Sequence, residues 1–350
     1  MMKNVTIIGA GASGLMAAVC AARAGARVTV LEHREEAGIK LSLTGNGRCN
    51  YTNTDIGPAH YHCSDPAFAE SVLRNFGYQD AVRFFENLGI RPVIRHYDFD
   101  EFGYVYPEGM NAAGFRDAIF REAERLGVAF CFGLSDDEVM RRAEAVIDEI
   151  GRKQERDSAL ILAAGSNAYP VTGSDSSIYP LIRKLGLDFH TFLPALCGLY
   201  SKDPLLKEWK GRRVRGEAVL LISEGQDPAR EYRASGEIQF TEHSISGIPV
   251  MQLSRYAAIA LKKGQRAFLT IRTDEQHTFE IYRTAGFDRA QVCSGGIDIA
   301  EIDPASMQIK KHPGIYVCGE MIDVDGECGG FNLHFAWASG HLAGLSAAHS

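Results

Sequence analysis

Three things are missing from this 350-residue chain, and each absence narrows what it can be. Its eight cysteines, at positions 20, 49, 63, 131, 197, 293, 318 and 328, form no C-x-x-C pair and keep no regular spacing. That excludes a disulfide framework and a cysteine zinc site, and it suits a reducing cytoplasm. No apolar run approaches the length of a membrane span, and the first three residues lead directly into an apolar strand, leaving no room for a signal peptide. A positive surplus is also lacking: 37 Lys and Arg stand against 44 Asp and Glu, a formal net charge of -7. Nucleic acid and anionic membranes are therefore not expected as main partners. One stretch, 205–215, runs against the trend, with Lys207, Lys210, Arg212, Arg213 and Arg215 around Trp209. It reads either as a solvated hairpin or as a clamp for an anionic substrate or a nicotinamide phosphate.

What is present is an alternating pattern of strands and helices, in a length that suits about two domains. Residues 4–9 form a short apolar strand, 13–24 an alanine-rich helix closed by Gly25, and 26–32 a second apolar strand. Strand, helix and strand within about thirty residues make a βαβ unit with parallel strands. Asp65-Pro66 starts a helix, Asn111 caps another, 128–132 is a strand, and 159–164 is a further buried strand. Residues 135–150 are ambiguous. Val139, Met140, Ala143, Val146, Ile147 and Ile150 have helical spacing, and Ser135 with Glu138 could form a capping box. From about 187 the texture changes to short strands separated by turn residues, at 216–223, 230–234 and 237–240, which indicates a β-rich insert. A helix follows over 246–261, then strands at 268–272, 278–283 and 314–318, and a closing helix over 332–348.

Four segments carry chemistry. In Gly9-Ala10-Gly11-Ala12-Ser13-Gly14, the first glycine makes the tight turn and the second lets backbone approach a pyrophosphate. The third lets helix lie against strand, and the helix N-terminus favours the negative charge. Glu32, ending the second strand, is placed to accept both ribose hydroxyls of an adenosine, which disfavours a 2′-phosphate there. The run Gly314 to Glu320 is either a flavin-type strand ending in Gly-acid or an ordinary buried strand with a polar turn. Gly329-Gly330-Phe331-Asn332 opens the closing helix, where exposed N–H groups would favour negative charge on a ligand. Nearby Asp323, Asp325 and Glu327 resemble part of a calcium loop, but the paired glycines and missing later ligands argue against metal. Last, 38–50 is a glycine-broken polar loop that brings Lys40 and Arg48 to where a dinucleotide would extend. Cys49 lies in it with no second cysteine four or five residues away, which argues against a redox disulfide.

In this order the segments resemble the FAD-dependent oxidoreductase family that includes aminoacetone oxidase and the BaiN-type flavoproteins. The T-G-N-G-R-C-N signature is complete at 44–50, and L-D-V-D-G-x-C-G-G-Y-N-L-Q-W-A-W-x-S-G appears at 322–340 with Phe331, His334 and Phe335 substituted. The resemblance spans nearly the whole chain. It implies an α/β fold: a glutathione-reductase-like Rossmann FAD domain built from 1–187 and 289–350, with a β-rich substrate-side domain over 188–288. In that fold 135–157 is expected as a β-meander. The resemblance places non-covalent FAD on Gly9, Gly11, Ser13, Gly14 and Glu32, and on Lys40, Arg48 and Asn50. It adds Ala163, Ala164 and Gly165, then Gly319 and Glu320, then Gly330, Phe331 and Asn332. Relatives carry a helical segment of several dozen residues where this chain has only 262–289 as a bridge, so the substrate side is altered.

The expected activity is hydride transfer between a small organic substrate and FAD, with the protein supplying position and electrostatics. With one G-x-G-x-x-G and no second dinucleotide fold, NAD(P)H would bind transiently near the flavin, or oxygen would serve as acceptor. His334, one turn into the closing helix, is a candidate for proton transfer; relatives carry glutamine there, which favours a packing or hydrogen-bonding role instead. Two alternatives remain: an NAD-dependent dehydrogenase using Glu32, and a non-enzymatic or RNA-associated flavin-binding protein.

Overall fold

The computed structural model describes residues 2–97, 103–152, 157–223 and 230–349. The chain divides into two units, each with its own core. The first comprises Met1–Ser166, Thr172–Thr191 and Gly295–Ser350; the second comprises Asn167–Val171 and Phe192–Ser294.

The first unit is built on a five-stranded parallel sheet. Its centre is β1 (Asn4–Ile8), followed by helix α1 (Ala12–Arg23) and β2 (Arg27–Leu31). In strand order the sheet runs Ile315–Val317, Ser158–Leu162, β1, β2, Ala129–Cys131. Register is continuous, with Asn4 opposite both Arg27 and Ser158, and Ile8 opposite both Leu31 and Leu162. Such strands are buried on both faces, which is why 159–162 reads as unbroken apolar sequence. The carboxyl ends of all five strands thus lie at one edge, which is where open α/β sheets bind ligands. Helix starts follow the caps the sequence supplies: Asp65 accepts a hydrogen bond from Ala67 N at 2.9 Å, and Asn111 from Gly114 N at 2.8 Å.

Residues 136–152 depart from the expected meander. Asp136–Arg152 is an α-helix, and the four-residue tail of that expectation, 153–156, lies outside the described residues. Three acids in its first turn complement the helix dipole, and Ser135 Oγ accepts from Glu138 N at 3.3 Å. Val139 and Ala143 are buried, and Met140, Val146, Ile147 and Ile150 pack against the same core. Helical periodicity thus decides this segment, as the spacing of its apolar residues required.

The second unit is a closed six-stranded antiparallel barrel. Its strands run in the order Leu199–Ser201, Ser244–Ser246, Arg230–Phe240, Arg213–Ser223, Arg266–Arg272, Gln276–Thr284. Closure leaves no exposed sheet edge. The helix Ile248–Lys262, with Pro249 in its first turn, contributes Val250, Leu253 and Ala257 to a core of Leu220, Ile238, Leu269 and Phe279. The basic stretch near Trp209 is a short helix, Leu205–Trp209, leading into a strand, and not a hairpin. No helix among the described residues is long and apolar enough to cross a membrane.

Candidate functional site

The turn after β1 is shaped by what its glycines cannot carry. Gly9 sits at φ +98°, and a Cβ there would lie 2.5 Å from the Ala163 carbonyl oxygen. A Cβ on Gly14 would collide with the Gly9 carbonyl oxygen. Gly11 differs: a Cβ there meets no protein atom within 4 Å. The middle glycine is therefore not required by the fold. Its open face lies at the uncapped N-terminus of α1, which is an anion site by construction.

Glu32 lies at the end of β2 with its carboxylate anchored twice. Oε2 accepts from Ala10 N at 2.7 Å and Oε1 from Arg34 N at 2.9 Å. These bonds fix the carboxylate beside the glycine turn and leave lone pairs for hydroxyl donors. Ala163, Ala164 and Gly165 follow the neighbouring strand; Ala164 N approaches Met321 Sδ at 3.2 Å, and Gly165 has φ +79°.

Residues far apart in sequence meet around this edge. Lys40 Nζ donates to Glu320 Oε2 at 2.7 Å across 280 positions, both partly exposed. Lys40 lies on a helical segment, Ile39–Gly47, broken at Thr44, Gly45 and Asn46 where backbone angles leave the helical region. The expected loop is thus half helix. Arg48 is exposed and makes no ion pair among the described residues. Gly319 packs onto Ser13, where a Cβ would collide with Ser13 Oγ, and its N–H donates to Ser339 Oγ at 2.9 Å.

At the start of the closing helix, Phe331–His349, Gly330 has φ +93° and a Cβ there would lie 2.6 Å from Thr52 O. Asn50 Oδ1 is buried beside it without a hydrogen-bond partner. Such a group normally marks a missing donor. Asn332 is already committed: Oδ1 accepts from Gly326 N at 2.8 Å and Nδ2 donates to Gly326 O at 2.7 Å. Its side chain ties the preceding loop to the helix. Phe331 is fully buried, with His60 stacked on it at 4.5 Å.

His334 is a core residue. It is fully buried, with Nδ1 2.8 Å from Thr52 Oγ1 and Nε2 3.0 Å from Phe76 O. The carbonyl requires a donor, so Nε2 carries the proton and Nδ1 accepts from the threonine. Burial pushes its pKa down to about 4, so the ring stays neutral near pH 7 and its one N–H is committed to the Phe76 carbonyl. Cys49 is likewise inert, its thiol pushed up to about 12 by burial.

Two positions escaped sequence reading. A Cβ on Gly340 would lie 2.5 Å from Ser13 O, and one on Gly344 would collide with Ala17 O. These glycines let the closing helix touch α1 backbone to backbone, which seats the C-terminal segments beside the glycine turn. Their four-residue spacing in an apolar helix was the available signal.

Taken together, an open glycine at a bare helix N-terminus, an anchored carboxylate and an orphaned buried amide oxygen fit an adenine dinucleotide that extends toward Gly330. Likeness to known proteins points the same way. The family described as HI0933-like protein Rossmann domain matches residues 3–346. The chain is 32% identical over 416 aligned residues to the 3-dehydro-bile acid delta(4,6)-reductase of Clostridium scindens, covering 99% of each. It is 25% identical to the ribosomal RNA dihydrouridine synthase of Escherichia coli, covering 96% of each. Among solved structures, a 3-ketosteroid-delta4-(5alpha)-dehydrogenase from Rhodococcus jostii shares the fold at TM-score 0.53 and 15% identity, over 99% of this chain and 97% of that one. The chain therefore belongs to the HI0933-like Rossmann family and is an FAD-dependent oxidoreductase.

Proposed function

We propose that the enzyme is a reductase that saturates a carbon–carbon double bond conjugated to a carbonyl in a small organic substrate, with non-covalent FAD reduced by NAD(P)H. The observation that carries this reading is the 32% identity, over nearly all of both chains, to a protein named as a delta(4,6)-reductase of a 3-dehydro compound. The same bond type is reduced when uridine becomes dihydrouridine, the product named for the second relative. Bound FAD supplies the hydride.

The chain's own residues hold and orient. Gly9, Gly11, Ser13 and Gly14 admit the pyrophosphate at the α1 N-terminus, and Glu32 takes the ribose hydroxyls. Glu320, with Lys40 beside it, takes polyol hydroxyls. The N–H groups of Gly330, Phe331 and Asn332 favour negative charge at the pyrimidine end of the ring. Asn50 would there find the donor it lacks, and exposed Arg48 pairs with phosphate. A cytoplasmic setting suits the thiols, all eight of which are free.

Anaerobic mixing with NADH and NADPH tests the reading. Loss of the flavin absorbance band is the expected result, followed by its return on adding an enone. A flavin that neither nicotinamide reduces points to an oxidase.

A second reading, action on RNA, has one observation behind it. The barrel unit holds 15 Lys and Arg against 12 Asp and Glu, whereas the Rossmann unit holds 22 against 32. A shift of labelled ribosomal RNA at low salt that weakens steeply with salt would favour it.

A further inference from the structure

The turn at Gly329-Gly330, proposed above to lie against the flavin, is held by residues between Asn53 and His62. Asp325–Gly326, the arm that leads into the turn, pairs antiparallel with Tyr61–His62, and Glu327 N donates to His60 O at 3.0 Å. Beyond the turn, the Tyr61 hydroxyl donates to Phe331 O at 2.9 Å. Asn53 Nδ2 donates to Gly329 O at 2.8 Å, while its Oδ1 accepts from Asp55 N at 3.1 Å. These bonds are all neutral and do not respond to pH.

His60 adds an ionic link between the same two segments. Its Nδ1 lies 3.0 Å from Glu327 Oε2 and its Nε2 lies 3.2 Å from Asp55 Oδ2. A carboxylate only accepts, so both bonds exist together only when the ring carries both protons. A neutral ring must surrender one of them and turn a lone pair toward a carboxylate. The ring also lies over Phe331, with centroids 4.5 Å apart and planes 22° from parallel, a contact that positive charge strengthens. The side chain is only 16% exposed, so little water screens these charges. Its pKa is raised, chiefly by the bond to Glu327, with burial opposing and Asp55 adding to the rise. The links form a closed circuit: Asp55 to His60, His60 to Glu327, along the chain to Gly329, and back through Asn53 to Asp55.

We propose that His60, in its charged form, is the positioning residue for the Gly329–Phe331 turn, and that its proton is coupled to retention of FAD. This rests on the reading that the turn meets the flavin. With the ring charged, both ends of the circuit are closed and the N–H groups of the turn are held toward the cofactor. With the ring neutral, one end opens and FAD leaves faster. Retention is therefore strongest on the acid side of the His60 pKa, which lies above its ordinary 6.5, and weakens as pH rises through it. Asp55 and Glu327 are the charged groups that set this response.

The test follows release of FAD from the flavin-loaded protein on dilution, by its fluorescence, from pH 6 to pH 9. Wild type should release FAD about fivefold or more faster at the alkaline end, with a midpoint that matches the His60 ring titration seen by NMR. H60Q should release it at the fast rate throughout, without a step. E327Q keeps the shape and removes the charge, so its step should move to lower pH. A wild-type rate that is flat with pH, a step that persists in H60Q, or one that E327Q leaves in place overturns the proposal. Amide NMR of the loaded protein before and after dithionite reduction checks the turn separately. Gly330 and Asn332 signals that move, beside a flat or persisting rate profile, remove the His60 role alone. Signals that stay put overturn the reading of the turn, and the His60 role with it.

Discussion

The Rossmann unit and the barrel unit reach stability by different means. In the first, backbone meets backbone where side chains are absent: Gly14 on Gly9, Gly319 on Ser13, Gly340 on Ser13 and Gly344 on Ala17. In the second, large aliphatic and aromatic side chains fill a closed barrel around one helix, with Tyr232 stacked on Tyr256 at 3.8 Å. Close backbone contact leaves little room for adjustment, so a side chain added at Gly14, Gly340 or Gly344 must displace backbone. Side-chain packing tolerates exchange of one apolar residue for another of similar volume. The cofactor is therefore held by the unforgiving unit, and the forgiving one can vary between relatives. The alignment with the Clostridium scindens reductase extends over 416 residues against the 350 of this chain, so that relative carries segments this chain lacks.

The contrast breaks most visibly at the glycines. Gly14→Val places atoms on the Gly9 carbonyl and should abolish both flavin binding and the cooperative melting of the Rossmann unit. Gly11→Val meets open space, so the apo protein should melt as wild type does while purifying without flavin. Calorimetry with flavin absorbance separates the two. Equal damage from both would show that Gly11 serves the fold rather than the pyrophosphate.

Next in size is Glu32→Ala. Two backbone N–H groups lose their acceptor, the buried one at Ala10 at about 1–3 kcal/mol and the partly buried one at Arg34 at less, and the ribose hydroxyls lose theirs. A fall in FAD affinity of tenfold or more is expected by fluorescence titration, together with a lower melting temperature.

A subtler effect comes from His334. Its folded pKa of about 4 lies below the ordinary value of 6.5, so between these values the unfolded chain binds a proton that the native state refuses. Stability from this group is complete above about pH 6.5 and is lost as pH falls toward 4, by about 3 kcal/mol in total. His334→Gln keeps an acceptor for Thr52 and a donor for Phe76 and should flatten that slope in denaturant titrations. An unchanged slope would mean the histidine is not buried neutral.

The smallest expected effect lies in the barrel. Tyr232→Ala should cost about 1 kcal/mol through the lost ring stack and leave flavin content unchanged. Loss of flavin in that variant would couple the units in a way the contrast denies.

The difference between the units also explains what could be read from sequence. Gly9, Gly11, Gly14 and Glu32 were legible because phosphate and ribose chemistry impose residue types at fixed spacing. The buried strands were legible as apolar runs. Residues 136–152 were legible too, since their apolar residues carry helical spacing, and only the family expectation argued for strands. Other features depend on long-range contact. Nothing local to Lys40 announces Glu320, nothing local to His60 announces Glu327, and Gly340 and Gly344 look ordinary until α1 is laid against them. His334 shows the converse. A histidine at an attractive position is a core residue once Thr52 and Phe76 are seen on either side of it.

A non-covalent FAD held by the Rossmann unit is the claim on which all else depends. Heating purified protein and analysing the supernatant tests it directly. The expected result is a yellow protein that releases FAD, close to one per chain, on denaturation. A colourless preparation that takes up no FAD, or a flavin that stays with the denatured chain, would contradict it.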